Sequence, residues 1–119
     1  MRGRLLYDYV NNTGSGKTLT IELILGATVI ASQAVPTTSS ASNRLGELEF
    51  VVGDTIASNF QNGGFRGVHG DPGGPIPLMA VGTGGENVGV SLPIQIRVTH
   101  GVASPDLVFR TLLVVLELV

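Results

Sequence analysis

Cysteine and tryptophan are both absent from the 119 residues. Without cysteine there is no disulfide, no thiolate metal site and no cysteine nucleophile. Such a domain relies on packing and assembly for stability. Charge is also scarce, at 13% of residues, about half the usual share. Either the surface is rich in Ser, Thr and Asn, or much of it is hidden in an assembly. The net charge of −2 and the pI near 5.5 provide no basic footprint, so nucleic acid is not an expected partner. No secretory signal is visible: Met1, Arg2, Gly3 and Arg4 form a positive flank with no apolar run behind it. The longest apolar stretch, 112–116, is far too short to span a bilayer. A water-soluble domain with no membrane partner is expected, and the length leaves room for one core.

Glycine is plentiful instead. Seventeen glycines and six prolines divide the chain into short runs rich in Val, Ile, Leu, Thr and Tyr. That pattern predicts an all-β, antiparallel sandwich or barrel, and no helix candidate stands out. Residues 2–10 alternate, with Leu5, Tyr7 and Tyr9 on one face. A turn over 11–16 leads into the clearest strand, 18–25, with Leu19, Ile21, Leu23 and Leu25 on one face. These two runs read as a hairpin. Gly26 breaks the second, and 28–35 returns up to Pro36. A polar connection spans 37–42. Over 44–52, Leu48, Phe50 and Val52 point inward, with Glu47 and Glu49 outward. Residues 55–67, with Ile56 and Phe60, form a weaker strand in which Gly63 and Gly64 suggest a bulge or loop. The segment 69–87 reads as a long loop holding one short strand at 76–81. Leu92, Ile94, Ile96 and Val98 mark another strand, after which 106–119 closes the chain. The total is seven or eight strands. The centre of the last run is apolar on both faces, so it reads as buried on both sides.

Few residues offer chemistry. Gly14 to Thr18 resembles the end of a phosphate loop, but Asn11 stands where the first glycine belongs, and a strand follows where a helix is required. His69 and His100 lie near Asp71 and Asp106, yet they are not spaced as a local metal pair. Loop histidine and strand-end histidine are the plainer reading. Asp54 and Asp71 sit in glycine-rich stretches that calcium could use, but the carboxylates are dispersed, and turn capping fits better. Glu47 and Glu49 form an i, i+2 pair of the kind used on sugars; a solvated strand face accounts for them. Asn11-Asn12-Thr13 matches a glycosylation acceptor, a pattern common by chance. Phe65 beside Arg66 is the one aromatic not on an inward face. There is no Gly-x-Ser-x-Gly elbow and no nucleophile beside a base. No metal or cofactor is implied, and no enzyme activity.

Both ends carry a resemblance. Arg4-Leu5-Leu6-Tyr7-Asp8-Tyr9-Val10-Asn11-Asn12-Thr13-Gly14, then Lys17 to Leu23 and Leu25-Gly26-Ala27-Thr28, look like the opening of a jelly-roll domain of tailed-bacteriophage virion structural proteins. So do Ile94 to His100, then Asp106-Leu107-Val108-Phe109-Arg110, and the closing Val115-Leu116-Glu117-Leu118. About half the chain is covered, and 37–92 is not. The resemblance implies a jelly-roll sandwich in a virion, as capsid decoration, head fibre or tail fibre. It also implies self-assembly as a homotrimer and contact with other virion proteins such as the major capsid protein. Relatives of this type carry one or more further strands before the Arg-Leu strand, so the expectation is either a part of a longer protein or a first strand supplied from elsewhere, with the exposed edge covered by a partner.

Two functional expectations follow. In the first, a structural module buries apolar strand faces against its neighbours, with Leu112, Val114 and Leu116 on one face and Leu113 and Val115 on the other. In the second, a fibre tip binds a host-surface glycan through a loop bearing Phe65, Arg66, His69 and Asp71. The first is favoured, since no residue constellation supports catalysis.

Overall fold

The computed structural model describes residues 1–55, 59–87, 89–90 and 92–117. Ile56 and Leu118 fall outside the described residues, as does the side chain of Asp54. Eight strands form two antiparallel sheets, and the expected sandwich is what the chain builds. They are β1 (Arg2–Asn11), β2 (Lys17–Leu25), β3 (Thr28–Thr37), β4 (Ser40–Thr55), β5 (Phe60–His69), β6 (Ile76–Gly84), β7 (Ile94–His100) and β8 (Leu107–Glu117). One sheet runs β6-β5-β4-β1-β8 and the other β3-β2-β7.

The core follows from the alternation. Leu19, Ile21 and Leu23 of β2 have no exposed surface, and they face Leu5, Tyr7, Leu48, Phe65 and Leu78 across the sandwich. Period-two patterning puts one side of every strand into a common layer. Glycine lets aromatic rings lie flat in that layer. Gly46 pairs with Tyr7, and a Cβ at Gly46 would sit 2.0 Å from Tyr7 Cζ. Gly3 pairs with Phe50 in the same way, with a Cβ 2.3 Å from Phe50 Cζ.

Several expectations are corrected here. β1 and β2 are not a hairpin; they lie in different sheets. The turn between them is a corner, latched by the buried side chain of Asn11. Asn11 Nδ2 donates to Ser15 O (3.0 Å) and Thr37 O (3.2 Å), while Oδ1 accepts from the Thr13 amide (3.2 Å) and hydroxyl (2.7 Å). The true hairpin is β2–β3, turned at Gly26 with φ +60. Gly63 and Gly64 make no bulge; β5 pairs in unbroken register with β4 and β6. They serve close approach instead: a Cβ at Gly63 would meet Val51 O at 2.9 Å, and one at Gly64 would meet Ala80 O at 2.5 Å. The loop expected over 69–87 contains a full nine-residue strand, β6.

The sandwich is closed on one side and open on the other. β3 lies against β6. Gln33 Nε2 donates to Pro77 O (3.1 Å), and its Oε1 accepts from the Met79 amide (2.7 Å). The side-chain amide thus stands in for a neighbouring strand. On the far side, β7 and β8 end their own sheets and are not paired with each other. Between them lies an apolar cleft of about 210 Å³, lined by Leu5, Phe50, Ile94, Ile96, Val114 and Leu116 among others.

Candidate interaction surface

β8 ends the five-stranded sheet and, among the described residues, pairs only with β1. Its centre departs from the expectation of burial on both sides. Leu112, Leu113, Val114, Val115 and Leu116 are 42–59% exposed. The physical reason is the unequal sheets: the three-stranded sheet is too narrow to cover the whole five-stranded one, and among the described residues β7 faces β8 only across the open cleft. Register sorts the side chains. Val114 and Leu116 pair with Leu5 and Gly3 and border the cleft. Leu113 and Val115 pair with Leu6 and Arg4 on the outer face. Leu112 is the extra residue of a bulge between the Leu6–Leu113 and Tyr7–Thr111 pairs.

The backbone direction is equally determined. Met1 and Val52 exchange backbone hydrogen bonds of 2.9 and 2.8 Å, so Met1 turns toward the β4 side. Antiparallel ladders alternate. Arg2, Arg4 and Leu6 therefore turn their amides to β8, and Leu113, Val115 and Glu117 turn theirs back to β1. The Asn12 amide donates to Asp106 O at 2.9 Å, which keeps the same parity at the other end. Val114 and Leu116 thus direct N–H and C=O to the open edge.

The outer face of this sheet carries charge in pairs, with apolar side chains between. Arg4 bonds Glu47, Arg2 Nε meets Glu117 at 2.6 Å, and Arg66 reaches Glu49 at 3.4 Å. Arg110 grips Asp8 with two nitrogens, Nε at 2.9 Å from Oδ1, and these hydrogen bonds hold the Asp8 carboxyl below the usual range. Glu47 and Glu49 are thus each paired with an arginine on this face. An open trough of about 1140 Å³ crosses the face, where Gly53 and Gly64 bear no side chains and Met79 and Val81 stand 73% and 83% exposed.

The expected binding loop is not a loop. Phe65, Arg66 and His69 belong to β5. Phe65 is buried between Phe50 and Ala80, so it provides no exposed platform. Arg66 alone points out. Asp71 is a clamp between turns: it accepts from the Thr38 amide and hydroxyl, both at 2.7 Å, and from the Gly73 amide at 2.9 Å. Burial pushes its carboxyl up, but the Thr38 and Gly73 hydrogen bonds outweigh that and hold it low.

The fold brings the two histidines together around Tyr9, with ring centroids 5.6 Å away for His69 and 5.8 Å for His100. Tyr7 Oη and His69 Nδ1 share a hydrogen bond of 2.9 Å, and Tyr7 stacks on Phe109. Burial pushes the Tyr7 phenol far up and His69 down; Asp71 pulls His69 weakly the other way. Tyr9 Oη approaches the Thr37 hydroxyl, but the geometry closes no hydrogen bond between them. His69 Nε2 and His100 Nε2 are buried without a hydrogen-bond partner among the described residues. A neutral imidazole at His69 suits this burial. Among the described residues no group of three or more His, Asp or Glu side chains is placed to hold a metal ion.

Sequence reasoning missed two side-chain latches. One is Gln33. The other is buried Gln61, whose amide exchanges bonds of 2.9 Å with the Glu86 backbone. A glutamine in a strand gives no signal of such a role. A turn position and a glycosylation pattern do not signal the latch at Asn11, whose buried amide, bonded at both its nitrogen and its oxygen, leaves no room for a glycan.

The class these features define is an antiparallel β-sandwich with an unpaired apolar edge strand. Comparison with family models, with curated proteins and with solved structures finds no match to this chain.

Proposed function

We propose that this chain is a structural module of a tailed-phage virion, which self-associates and clamps onto the particle surface beside the major capsid protein or a fibre subunit. The observation that carries the reading is the exposed apolar centre of β8, from Leu112 to Leu116. The virion setting is supported by the resemblance of the two chain ends. Work is done by burial, not by chemistry.

Magnitude favours contact between copies. Burying an apolar side chain fully is worth about 1.5–3 kcal/mol. At roughly half exposure, about 1 kcal/mol each remains to be gained, or about 5 kcal/mol for the five. Association costs about 4–15 kcal/mol. One such strand against a polar partner barely meets that cost; two facing each other reach about 10 kcal/mol before backbone hydrogen bonds.

Light scattering after gel filtration, at several concentrations, tests the reading. A mass that is a multiple of 12.3 kDa is expected. The resemblance implies three copies, and the mass gives the number. A single-chain mass at every concentration, or absence of the protein from purified particles by mass spectrometry, defeats it.

A further inference from the structure

The occupant of the β8 edge can be named from the edge itself. We infer that β8 pairs antiparallel with β8 of a second copy, about a twofold axis through Val114. The inference rests on the self-association reading and gives it a geometry.

Only residues whose N–H and C=O turn outward can form a hydrogen-bonded pair across the edge, and Val114 is one of them. With Val114 facing itself, and with the Leu112 bulge counted once, Leu113 stands opposite the second copy's Val115. Thr111 stands opposite Leu116, and Arg110 opposite Glu117. The last pairing decides the register. Along the outer face the order becomes Asp8, Arg110, the second copy's Glu117, then its Arg2. The signs alternate through all four. Arg110 is already held by Asp8 and Glu117 by Arg2, so both ions are oriented before the copies meet. Centring on Leu113 instead sets Glu117 against Val108, and centring on Val115 sets it against Leu113. Neither neutralises the edge. The twofold produces a continuous ten-stranded sheet from two copies of the five-stranded one.

Two substitutions test this. The chain has no cysteine, so Val114→Cys introduces the only thiol. Across a hydrogen-bonded antiparallel pair the Cα atoms lie about 5.5 Å apart, within the disulfide range of about 4.4–6.8 Å. Oxidation is expected to convert Val114→Cys to a covalent dimer on a non-reducing gel. Met79→Cys, exposed on the same sheet at its far end, is expected to stay uncrosslinked. Val114→Pro removes an amide that points away from β1, so the β1–β8 ladder survives. Its expected effect is loss of the dimer mass with the native circular dichroism retained; should it fail to fold, the cysteine pair carries the test. An uncrosslinked Val114→Cys in a chain that still self-associates overturns β8 pairing and leaves the parent reading standing. So does a mass of three copies alone, since a threefold ring has no twofold axis. A single-chain mass for the native protein removes both.

Discussion

Gly46→Ala probes how tightly glycine and tyrosine share the core. The added Cβ would sit 2.0 Å from Tyr7 Cζ and 2.4 Å from Tyr7 Oη. No atom tolerates that approach, so the ring must move. Tyr7 has no exposed surface, stacks on Phe109 at 4.6 Å and shares its hydroxyl with His69 at 2.9 Å. Forcing extra volume into such a site costs about 1–3 kcal/mol. Losing the hydrogen bond adds about 0.5–1.5 kcal/mol. A total of about 2–4 kcal/mol is expected, a large share of the 5–15 kcal/mol typical of a domain. Urea unfolding followed by circular dichroism measures it as a lower midpoint at constant slope. Gly53→Ala is the control, because the nearest atom to its Cβ is Asn62 O at 3.8 Å, and a change within about 0.5 kcal/mol is expected there. A Gly46→Ala loss no larger than that of the control would refute the argument that Tyr7 is locked over Gly46.

Asn11→Ala removes the corner latch between the sheets. Its amide partners Ser15 O and Thr37 O are left without it, and a loss of about 1–3 kcal/mol is expected by the same unfolding assay. Acid should weaken the fold in a window set by His69. Burial holds its folded pKa below the ordinary value, so the unfolded chain binds the proton more readily. Stability is full above about pH 6.5 and falls as pH drops from there toward the depressed folded value. Between about pH 7.5 and pH 5.5 the melting temperature should fall for the native chain and change less for His69→Gln, since Asp8 and Asp71 titrate below this window. Equal slopes for the two proteins would remove His69 from the account.

Much of the fold was legible because burial repeats every second residue. Leu19, Ile21, Leu23 and Leu25 announce one buried face, and that face is buried. Turn chemistry is less informative. Asn11 to Gly16 signals a reversal but not the sheet on which the chain lands, which depends on the buried Asn11 amide contacts with Ser15 and Thr37. β5 and β6 were obscured by glycine. Gly63, Gly64, Gly67, Gly82 and Gly84 interrupt the alternation because neighbouring backbone and aliphatic or amide side chains pass close there, and local sequence cannot distinguish that from a loop. Phe65 was misplaced for the same reason. The apolar run in β8 was plain; what covers it is decided by the number of strands in each sheet, which no local pattern encodes.

The two edges of the five-stranded sheet are treated differently, and the difference bears on function. Exposed edges invite other strands, and chains blunt them with charge, proline, bulges or cover. β6 has two of these devices: Pro77 within it, and cover by β3, whose Gln33 amide bonds the Pro77 and Met79 backbone. β8 has a bulge at Leu112, and beyond it a run from Leu113 to Leu116 with no charge and no proline. The charges that flank this run, Arg110 and Glu117, are opposite in sign and each is tied to β1. An edge under pressure only to avoid other strands would carry like charges or an inward lysine. An edge that selects its own copy would carry opposite charges at matched distances from an apolar centre. β8 has the second arrangement, so reversing one charge should act on pairing before it acts on folding. Glu117→Arg sets arginine against Arg110 across the proposed twofold, and it is expected to shift the mass toward one chain while the melting temperature stays within a few degrees.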